Sequence, residues 1–149
     1  MIKVLRDVQK RILGVQKEIK KEVQKTLKEL EPQILDLNIE QMDEKGEDSK
    51  GKELPGPYAD FTIEIKKSKQ QRFDIVTLHD TGAFHKGFFI KFYADYFEIS
   101  STDDKTDMLE KEWGKSIFGL NNNNKVYISQ EMKDYLIEYA KKKLHENNR

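Results

Sequence analysis

The sequence contains no cysteine, three prolines and a single tryptophan among its 149 residues. The absence of cysteine excludes disulfides, thiolate catalysis and zinc sites built from cysteine. No stretch approaches the ~20 consecutive apolar residues that a membrane-spanning helix requires. The first residues also lack the apolar block of a secretory signal, which favours a protein that is intracellular when it is made.

Sequence motifs for common enzyme chemistries are missing as well. There is no Gly-x-Ser-x-Gly nucleophile elbow, no phosphate-binding loop and no dinucleotide fingerprint. The formal net charge is zero, so the dominant positive surface that sequence-independent binding of nucleic acid requires is not expected. These absences disfavour most enzymes and a nucleic-acid-binding protein.

The charges that are present occur in blocks. Residues 1–31 and 115–149 are rich in lysine and arginine, whereas residues 36–54 and 95–112 are rich in aspartate and glutamate. Blocks of opposite sign favour self-association or docking to another protein, because a basic patch on one molecule can meet an acidic patch on the next. Plain solvated faces are the alternative explanation.

The length indicates a single domain, residues 1–149, that is large enough for a real core, and the composition favours a thin or elongated body. Hydrophobic residues make up 36% of the chain, and charged residues make up another 36%. A chain this polar is expected to complete the burial of its apolar surface against partner proteins.

Apolar side chains recur every three or four residues in the first segment and predict a long amphipathic helix over residues 1–37. Pro32 lacks an N–H group, so the helix should kink or stop near Glu31. A single narrow stripe suits a helix laid across a sheet or against a neighbouring subunit; a coiled coil, which needs two apolar positions per heptad, is the alternative. The stripe consists of Val4, Val8, Ile12, Val15, Ile19, Val23, Leu27, Leu30 and Ile34.

A polar loop that contains glycine and proline is predicted over residues 43–57, followed by the sheet-containing body of the domain over residues 58–128. A hairpin is expected within that body at residues 88–101, where β-forming residues flank a turn. Residues 58–67 alternate as in a strand and also share a helical face, so both interpretations stay open.

The C-terminal part of the sequence predicts two helices. The first is short, begins after a cap at Thr102 or Asp103, and ends at Gly114, which is placed to adopt the left-handed conformation. The asparagine run that follows is interpreted as a polar loop. The second helix spans residues 129–146, with Ser129 as its cap and lysines near its C-terminus that suit the helix dipole.

The stretch VTLHDTGAFHKGFFIKF, residues 76–92, raises the question of a reactive site. His79, Asp80 and His85 could supply three metal ligands, but a zinc site usually needs a separated fourth ligand or a helical i, i+4 pair. The only other histidine, His145, lies near the C-terminus. The sequence therefore predicts no metal, no cofactor and no catalytic residues.

Asp80, Thr81 and Gly82 form a turn signature instead. Aspartate and threonine side chains accept hydrogen bonds from nearby backbone N–H groups, and glycine permits a tight turn. The residues that follow predict a short helical turn or a bent strand, with Phe84 facing inward and His85 near solvent. The stretch is therefore interpreted as a structural junction.

Several short motifs in a defined order resemble a family of phage proteins. PYADFT (residues 57–62) follows the polar loop, DTGAF (residues 80–84) follows a basic run, and IFGL (residues 117–120) precedes the last helix. This order covers about residues 39–144 and resembles the tail-completion or head–tail connector proteins of tailed bacteriophages. The chain departs from the family where Phe84 replaces a frequent leucine and where Ser-Ile-Phe replaces Arg-Pro-Phe.

The resemblance implies an α+β fold, in which a long N-terminal amphipathic helix and a C-terminal helix pack on a small curved antiparallel β-sheet. It also favours the helix for residues 58–67. The implied role is non-enzymatic: a virion protein of the phage neck, made in the host cytoplasm, whose oligomeric ring joins the portal or adaptor to the tail. The implied partners are other copies of the chain, the portal or adaptor, and tail proteins, with passing contact with DNA in the channel and no membrane.

Structural or interface roles are expected for the residues of these motifs and for a basic patch on the first helix. The set is Asp80, Thr81, Gly82, Phe84, Trp113, Gly114, Phe118, Gly119, Leu120, Lys20 and Lys21. Trp113, Phe118, Gly119 and Leu120 are expected to pack under the last helix. The alternative functions are another phage assembly or cargo protein, and a small metal-dependent enzyme that uses the two histidines and Asp80.

Overall fold

The structure is a computed structural model that describes residues 2–146, with side chains from residue 4 onward. The expected α+β class is confirmed, because the described residues form several helices and one small antiparallel sheet. The chain divides into two compact units. The terminal unit comprises the described parts of Met1–Leu30 and Val126–Arg149, and the body unit comprises Glu31–Lys125. None of the described helices is both long and apolar enough to cross a membrane.

The helices follow one another with a single hairpin between α4 and α5. They are α1 (Ile2–Glu29), α2 (Glu31–Lys45), α3 (Asp60–Ser68), α4 (Ala83–Lys86), α5 (Thr106–Trp113), a short 3-10 helix (Lys115–Ile117) and α6 (Asn122–Glu146). Strands β1 (Phe88–Phe92) and β2 (Phe97–Ser101) pair antiparallel, with Phe92 opposite Phe97, and form the predicted hairpin. Helix α3 resolves the choice that the sequence leaves open for residues 58–67 in favour of the helix.

The long helix predicted at the N-terminus is divided at Leu30. The Leu30 N–H still donates to Thr26 O at 3.0 Å, and α2 then begins with Pro32 at its second position. A missing N–H costs no helical hydrogen bond there, because the first N–H groups of a helix have no partner within it. Helical structure continues to Lys45, so the predicted end of the helical segment at residue 37 is too early.

The last helix begins earlier than the sequence predicts. Helix α6 starts at Asn122 instead of Ser129. The Asn121 Oδ1 atom accepts a hydrogen bond from Asn124 N at 2.9 Å and caps the first turn. The asparagine run interpreted as a loop is therefore the start of the helix.

Helix α5 also differs from its predicted form at both ends. It begins at Thr106, and neither Thr102 nor Asp103 caps it; instead, Asp103 Oδ1 accepts a hydrogen bond from Lys105 N at 2.8 Å in the preceding turn. Gly114 ends the helix with φ +89° and ψ 161°. Its φ is positive as expected, but its ψ is extended, so the residue is not in the left-handed helical conformation.

The core of the body unit draws on α2, α4, the hairpin and the residues around the 3-10 helix. Ile34, Met42 and Ile117 are fully buried. The other buried apolar residues of this unit are Leu54, Val76, Phe84, Phe88, Ile90, Ile99 and Leu120. In the described part of the terminal unit, Val15, Ile128 and Met132 are the buried apolar residues.

The loop after α2 is ordered by Asp48, which is only 7% exposed. Its Oδ1 accepts hydrogen bonds from Lys50 N at 2.9 Å and Lys52 N at 3.0 Å, and its Oδ2 accepts one from Ser116 Oγ at 2.8 Å. Burial raises the pKa of Asp48, but the hydrogen bonds from Lys52, Ser116 and Lys50 outweigh it and leave the pKa below 3.8. The loop is therefore tied to the 3-10 helix through Ser116.

We expect Asp48→Ala to lower the free energy of unfolding by about 2–3 kcal/mol near pH 6, because three donors lose a charged acceptor. Since the folded state lowers the pKa of Asp48, its contribution is present above pH 3.8 and is lost as the pH falls through the folded value. Urea unfolding near pH 6 and near pH 3 measures this, with the exposed Asp104→Ala as control. If Asp48→Ala lowers the free energy of unfolding by the same amount at both pH values, the prediction is contradicted.

Candidate functional site

The predicted turn at residues 80–82 is present immediately before α4. Gly82 adopts φ +87° and ψ −5°, the left-handed conformation, in which a side chain would be strained. Thr81 Oγ1 accepts a hydrogen bond from Ala83 N at 3.2 Å. Phe84 follows within the short helix and is 6% exposed. This junction turns the chain from the segment after α3 into the hairpin.

Asp80 lies on the surface of the junction and is held by two lysines. Its Oδ1 accepts a hydrogen bond from Lys69 Nζ at 2.5 Å, and its Oδ2 accepts one from Lys105 Nζ at 3.2 Å. These hydrogen bonds, from Lys69 first and then Lys105, hold the pKa of the Asp80 carboxyl below its usual value. Asp80 therefore links the end of α3 to the turn before α5.

A pocket of about 400 Å³ lies beside Asp80 in the body unit, between α3, the junction and α5. Lys69 and Lys105 line it, and both already bond to Asp80. The rest of the lining is largely apolar and includes Tyr58, Ile65, Leu78, Met108, Leu109 and Trp113. Trp113, which the sequence places under the last helix, contributes to this pocket.

Tyr58 and Lys66 hold the backbone that leads into the junction. The Tyr58 hydroxyl accepts hydrogen bonds from Thr77 N at 2.9 Å and from Leu78 N at 3.2 Å. Lys66 is 5% exposed; its Nζ donates to His79 O at 2.5 Å and lies 4.8 Å from the centroid of the Tyr58 ring. Leu78 has φ +58°, which is uncommon for a residue with a side chain. The surrounding contacts stabilise this conformation and position His79.

His79 and His85 meet in the structure, together with a carboxylate that the sequence does not suggest. The centroids of the two rings lie 5.6 Å apart. Asp43, near the end of α2, lies beside them, in the position that the alternative metal-site hypothesis gave to Asp80. Its Oδ1 lies 3.6 Å from His85 Nδ1. Ligand atoms from all three residues lie within 4.8 Å of one another, so the group can hold a metal ion.

His85 is buried, which corrects the expectation that it lies near solvent. It is 6% exposed, because α4 is a single helical turn that directs both Phe84 and His85 inward. Burial lowers the pKa of the His85 ring, although the Asp43 carboxylate opposes that shift. The backbone of Thr77 also lies near the ring, yet neither ring nitrogen makes a hydrogen bond of normal geometry. His85 is therefore an uncharged buried ring at neutral pH.

The extended segment after the 3-10 helix is bound to α2 by two carboxamides. Asn38 Nδ2 donates to Ile117 O at 3.1 Å, and Asn38 Oδ1 accepts from Gly119 N at 2.9 Å. Gln41 repeats the pattern further along α2, donating to Gly119 O at 2.7 Å and accepting from Asn121 N at 3.1 Å. The two side chains pair with alternate backbone groups, as a neighbouring strand would.

The same segment carries residues that the sequence assigns to packing under the last helix. The Phe118 ring contacts Phe84 and Phe88, with centroids 5.7 Å and 5.3 Å away, so it joins the aromatic core at the junction. Gly119 has φ +119°, and a Cβ there would lie 3.0 Å from Ser49 Cβ. Only glycine allows this close approach of the loop.

Sequence reasoning missed Asn38, Gln41 and Asp43, all of which lie on α2. In an acidic and polar segment such residues resemble a solvated helical face. A signal existed for the first two, because Ile34 and Asn38, and then Gln41, are separated by four and three residues and share a helical face. No comparable pattern points to Asp43, whose partners are distant in sequence.

Helix α1 carries the remaining predicted residues, Lys20 and Lys21, and both are exposed. Val15, in the middle of the apolar stripe, is buried at 5% exposure. The residues of the stripe that precede Val15, together with Leu5 and Leu13, are exposed. The exposed apolar residues of this half of α1 are Val4, Leu5, Val8, Ile12 and Leu13, at 45–64% exposure.

Comparison with protein-family models, with curated proteins and with solved structures finds no match to this chain. The resemblance to phage connector proteins therefore depends on the ordered sequence motifs. Functional inference beyond it depends on the contacts, burial and charge of the described residues.

Proposed function

We propose that this chain is a non-enzymatic structural protein that assembles with copies of itself into a ring at the neck of a tailed bacteriophage. The ring would join the portal or its adaptor to the tail. The observation that carries the proposal is the exposed apolar face on the first half of α1. The motif order from residue 57 to residue 120 supplies the phage context.

The exposed face of α1 suits a protein partner better than water. Its five large aliphatic side chains recur on successive turns of one helix. Burying apolar surface is favourable by about 25 cal/mol per Å², and contiguous exposed patches of this kind mark interaction sites. An interface that covers this helix would therefore stabilise an assembly.

Charge complementarity supports a second copy of the chain as the partner. The segment that contains α1, residues 1–31, is rich in basic residues, whereas residues 36–54 and 95–112 of the body unit are rich in acidic ones. Contact between α1 of one copy and an acidic surface of the next would use two different patches. Such a heterologous contact closes into a ring when its rotation allows.

The junction supports a structural role for the motif residues. Asp80 is hydrogen-bonded to Lys69 and Lys105. Gly82 adopts the left-handed conformation immediately before α4, and Phe84 lies in the core. Each of these residues already has a role in holding segments of the body unit together. These structural roles explain why the residues of the motif are present without assigning a substrate to them.

Quantitative mass spectrometry on particles purified from the source organism tests the proposal. The copy number of this chain is measured relative to that of the portal protein. A ratio close to that of a sixfold or twelvefold ring is expected for a neck component. Absence from mature particles would overturn the connector role and would favour an assembly or cargo protein.

Reversing the charge of the basic patch should weaken incorporation. In Lys20→Glu/Lys21→Glu, two attractive contacts with an acidic neighbour become repulsive, and we expect at least about a tenfold lower copy number per particle. Lys141→Glu/Lys142→Glu is the matched control, because it changes the net charge equally at exposed positions of α6, outside the segments assigned to the interface. Equal incorporation of the two double variants would argue against the charged interface.

A further inference from the structure

A cluster of two histidines and one aspartate lies inside the body unit, where the structural role proposed for the chain does not require it. Asp43 comes from α2, His79 from the residues before the junction, and His85 from α4. Their ligand atoms lie within 4.8 Å of one another. The three residues come from separate segments of the chain, so their convergence is a product of the fold.

The buried ring of His85 is the second, independent observation. It is 6% exposed, and neither of its buried ring nitrogens makes a hydrogen bond of normal geometry, although the Thr77 backbone lies near the ring. A buried polar group without a partner costs roughly 1–3 kcal/mol, and such groups are rare in native proteins. An unsatisfied imidazole that faces a carboxylate and a second imidazole calls for a ligand that accepts electron pairs.

The geometry points to a binding site for a divalent transition-metal ion of the zinc class, with Asp43, His79 and His85 as its protein ligands. Imidazole nitrogen with carboxylate oxygen is a donor set that zinc uses in proteins. Three protein ligands leave a fourth position for water. This site is independent of the neck role, because it depends only on residues within one chain.

The separation of the donor atoms fits coordination better than a hydrogen bond. His85 Nδ1 and Asp43 Oδ1 are 3.6 Å apart, beyond the usual range for a hydrogen bond between nitrogen and oxygen. Two donors at about 2.0–2.1 Å from a tetrahedral zinc ion lie about 3.3 Å from each other. A small movement of the Asp43 side chain, which is 38% exposed, brings the pair to that distance.

Some groups around the site favour the binding of a metal ion, and one opposes it. The Thr77 backbone lies near the His85 ring, where its carbonyl can accept a hydrogen bond from the ring nitrogen that does not bind metal. Lys66 fixes the backbone of His79 by donating to its carbonyl oxygen. The positive charge of Lys66 opposes a dication, and the Asp43 carboxylate offsets that repulsion.

Bound at this site, the ion ties α2 to the junction and to α4. Without the ion, the contact of this cluster between α2 and α4 is the 3.6 Å approach of Asp43 Oδ1 to His85 Nδ1, which is longer than a hydrogen bond. Because the unfolded chain does not present the three ligands together, metal binding stabilises the folded state. Zinc should therefore raise the Tm of the chain.

Calorimetric titration of the full chain with Zn²⁺ alone tests the site, using protein purified without a histidine tag and stripped of metal. We expect one zinc ion per chain and a Tm that rises with zinc and falls back with chelator. Asp43→Asn and His79→Gln are the test variants, because both residues are partly exposed and their replacement should spare the fold. Each should weaken binding by more than the roughly 10–100-fold that loss of an outer-shell partner costs.

His145→Gln is the matched control, because it removes the exposed third histidine in α6 while leaving the cluster intact. It should bind zinc as the wild type does. The proposal is overturned if the wild type takes up no stoichiometric zinc, or if Asp43→Asn and His79→Gln retain wild-type affinity. Loss of binding in His145→Gln together with the wild-type affinity of both test variants would assign the zinc to the C-terminal histidine instead.

Discussion

Asn38→Asp is expected to lower the free energy of unfolding by about 3–5 kcal/mol, although it changes only one amide into a carboxylate. Asn38 is fully buried, and its Nδ2 donates to Ile117 O at 3.1 Å. Aspartate places an ionised oxygen against that carbonyl, so a hydrogen bond becomes a repulsion. The Gly119 N–H can still donate to the other oxygen, but the buried charge has no counter-charge. Urea unfolding at neutral pH measures the loss.

Two comparisons make this prediction specific to the orientation of the Asn38 amide. Asn123→Asp is the control, because it makes the same chemical change at an exposed position in the first turn of α6, where a negative charge is favourable. The deficit of Asn38→Asp should also shrink as the pH falls, because a protonated carboxyl can donate to Ile117 O again. A loss below about 1 kcal/mol at neutral pH would mean that α2 does not bind this segment through Asn38.

Phe84→Ala is expected to lower the free energy of unfolding by about 3–5 kcal/mol. Phe84 is 6% exposed, and its ring lies 5.0 Å from the Phe88 ring and 5.7 Å from the Phe118 ring, measured between centroids. Truncation leaves a cavity beside the Phe88 and Phe118 rings. Thermal or urea unfolding of the purified variant measures the effect.

Leucine at the same position separates the loss of volume from the loss of the ring. Phe84→Leu keeps most of the apolar volume and should cost about 1–2 kcal/mol. Phe61→Ala is the exposed control, since Phe61 is 77% exposed, and it should change stability by no more than about 0.5 kcal/mol. Similar losses in Phe84→Ala and Phe61→Ala would contradict the assignment of Phe84 to the core.

The elements with strong local signals were predictable from the sequence. The apolar repeat of α1, the interruption at Pro32 and the turn at Gly82 each depend on neighbours within a few residues. The hairpin is similar, because β1 and β2 are joined by a short turn. The helix boundaries at Lys45 and Asn122 were less predictable, since asparagine serves both in loops and as a helix cap.

The candidate sites divide in the same way. The turn chemistry of Thr81 and Gly82 is local, and the sequence identifies it. The partners of Asp80 are not local, because Lys69 precedes it by 11 residues and Lys105 follows it by 25 residues in the sequence. The sequence therefore assigned Asp80 to the turn, and to His79 only in the alternative metal-site hypothesis, whereas the fold pairs Asp80 with lysines.

The sequence by itself determined what depends on composition and short spacing: the absence of thiol chemistry, an amphipathic first helix, a glycine-dependent junction and charges in alternating blocks. Only the tertiary structure decided which polar residues of α2 face inward and what they meet there. Asn38 and Gln41 bind the backbone of Ile117–Asn121, and Asp43 joins His79 and His85. Such contacts join residues that are far apart in the sequence, and local patterns of residue type do not determine the spatial distances between them.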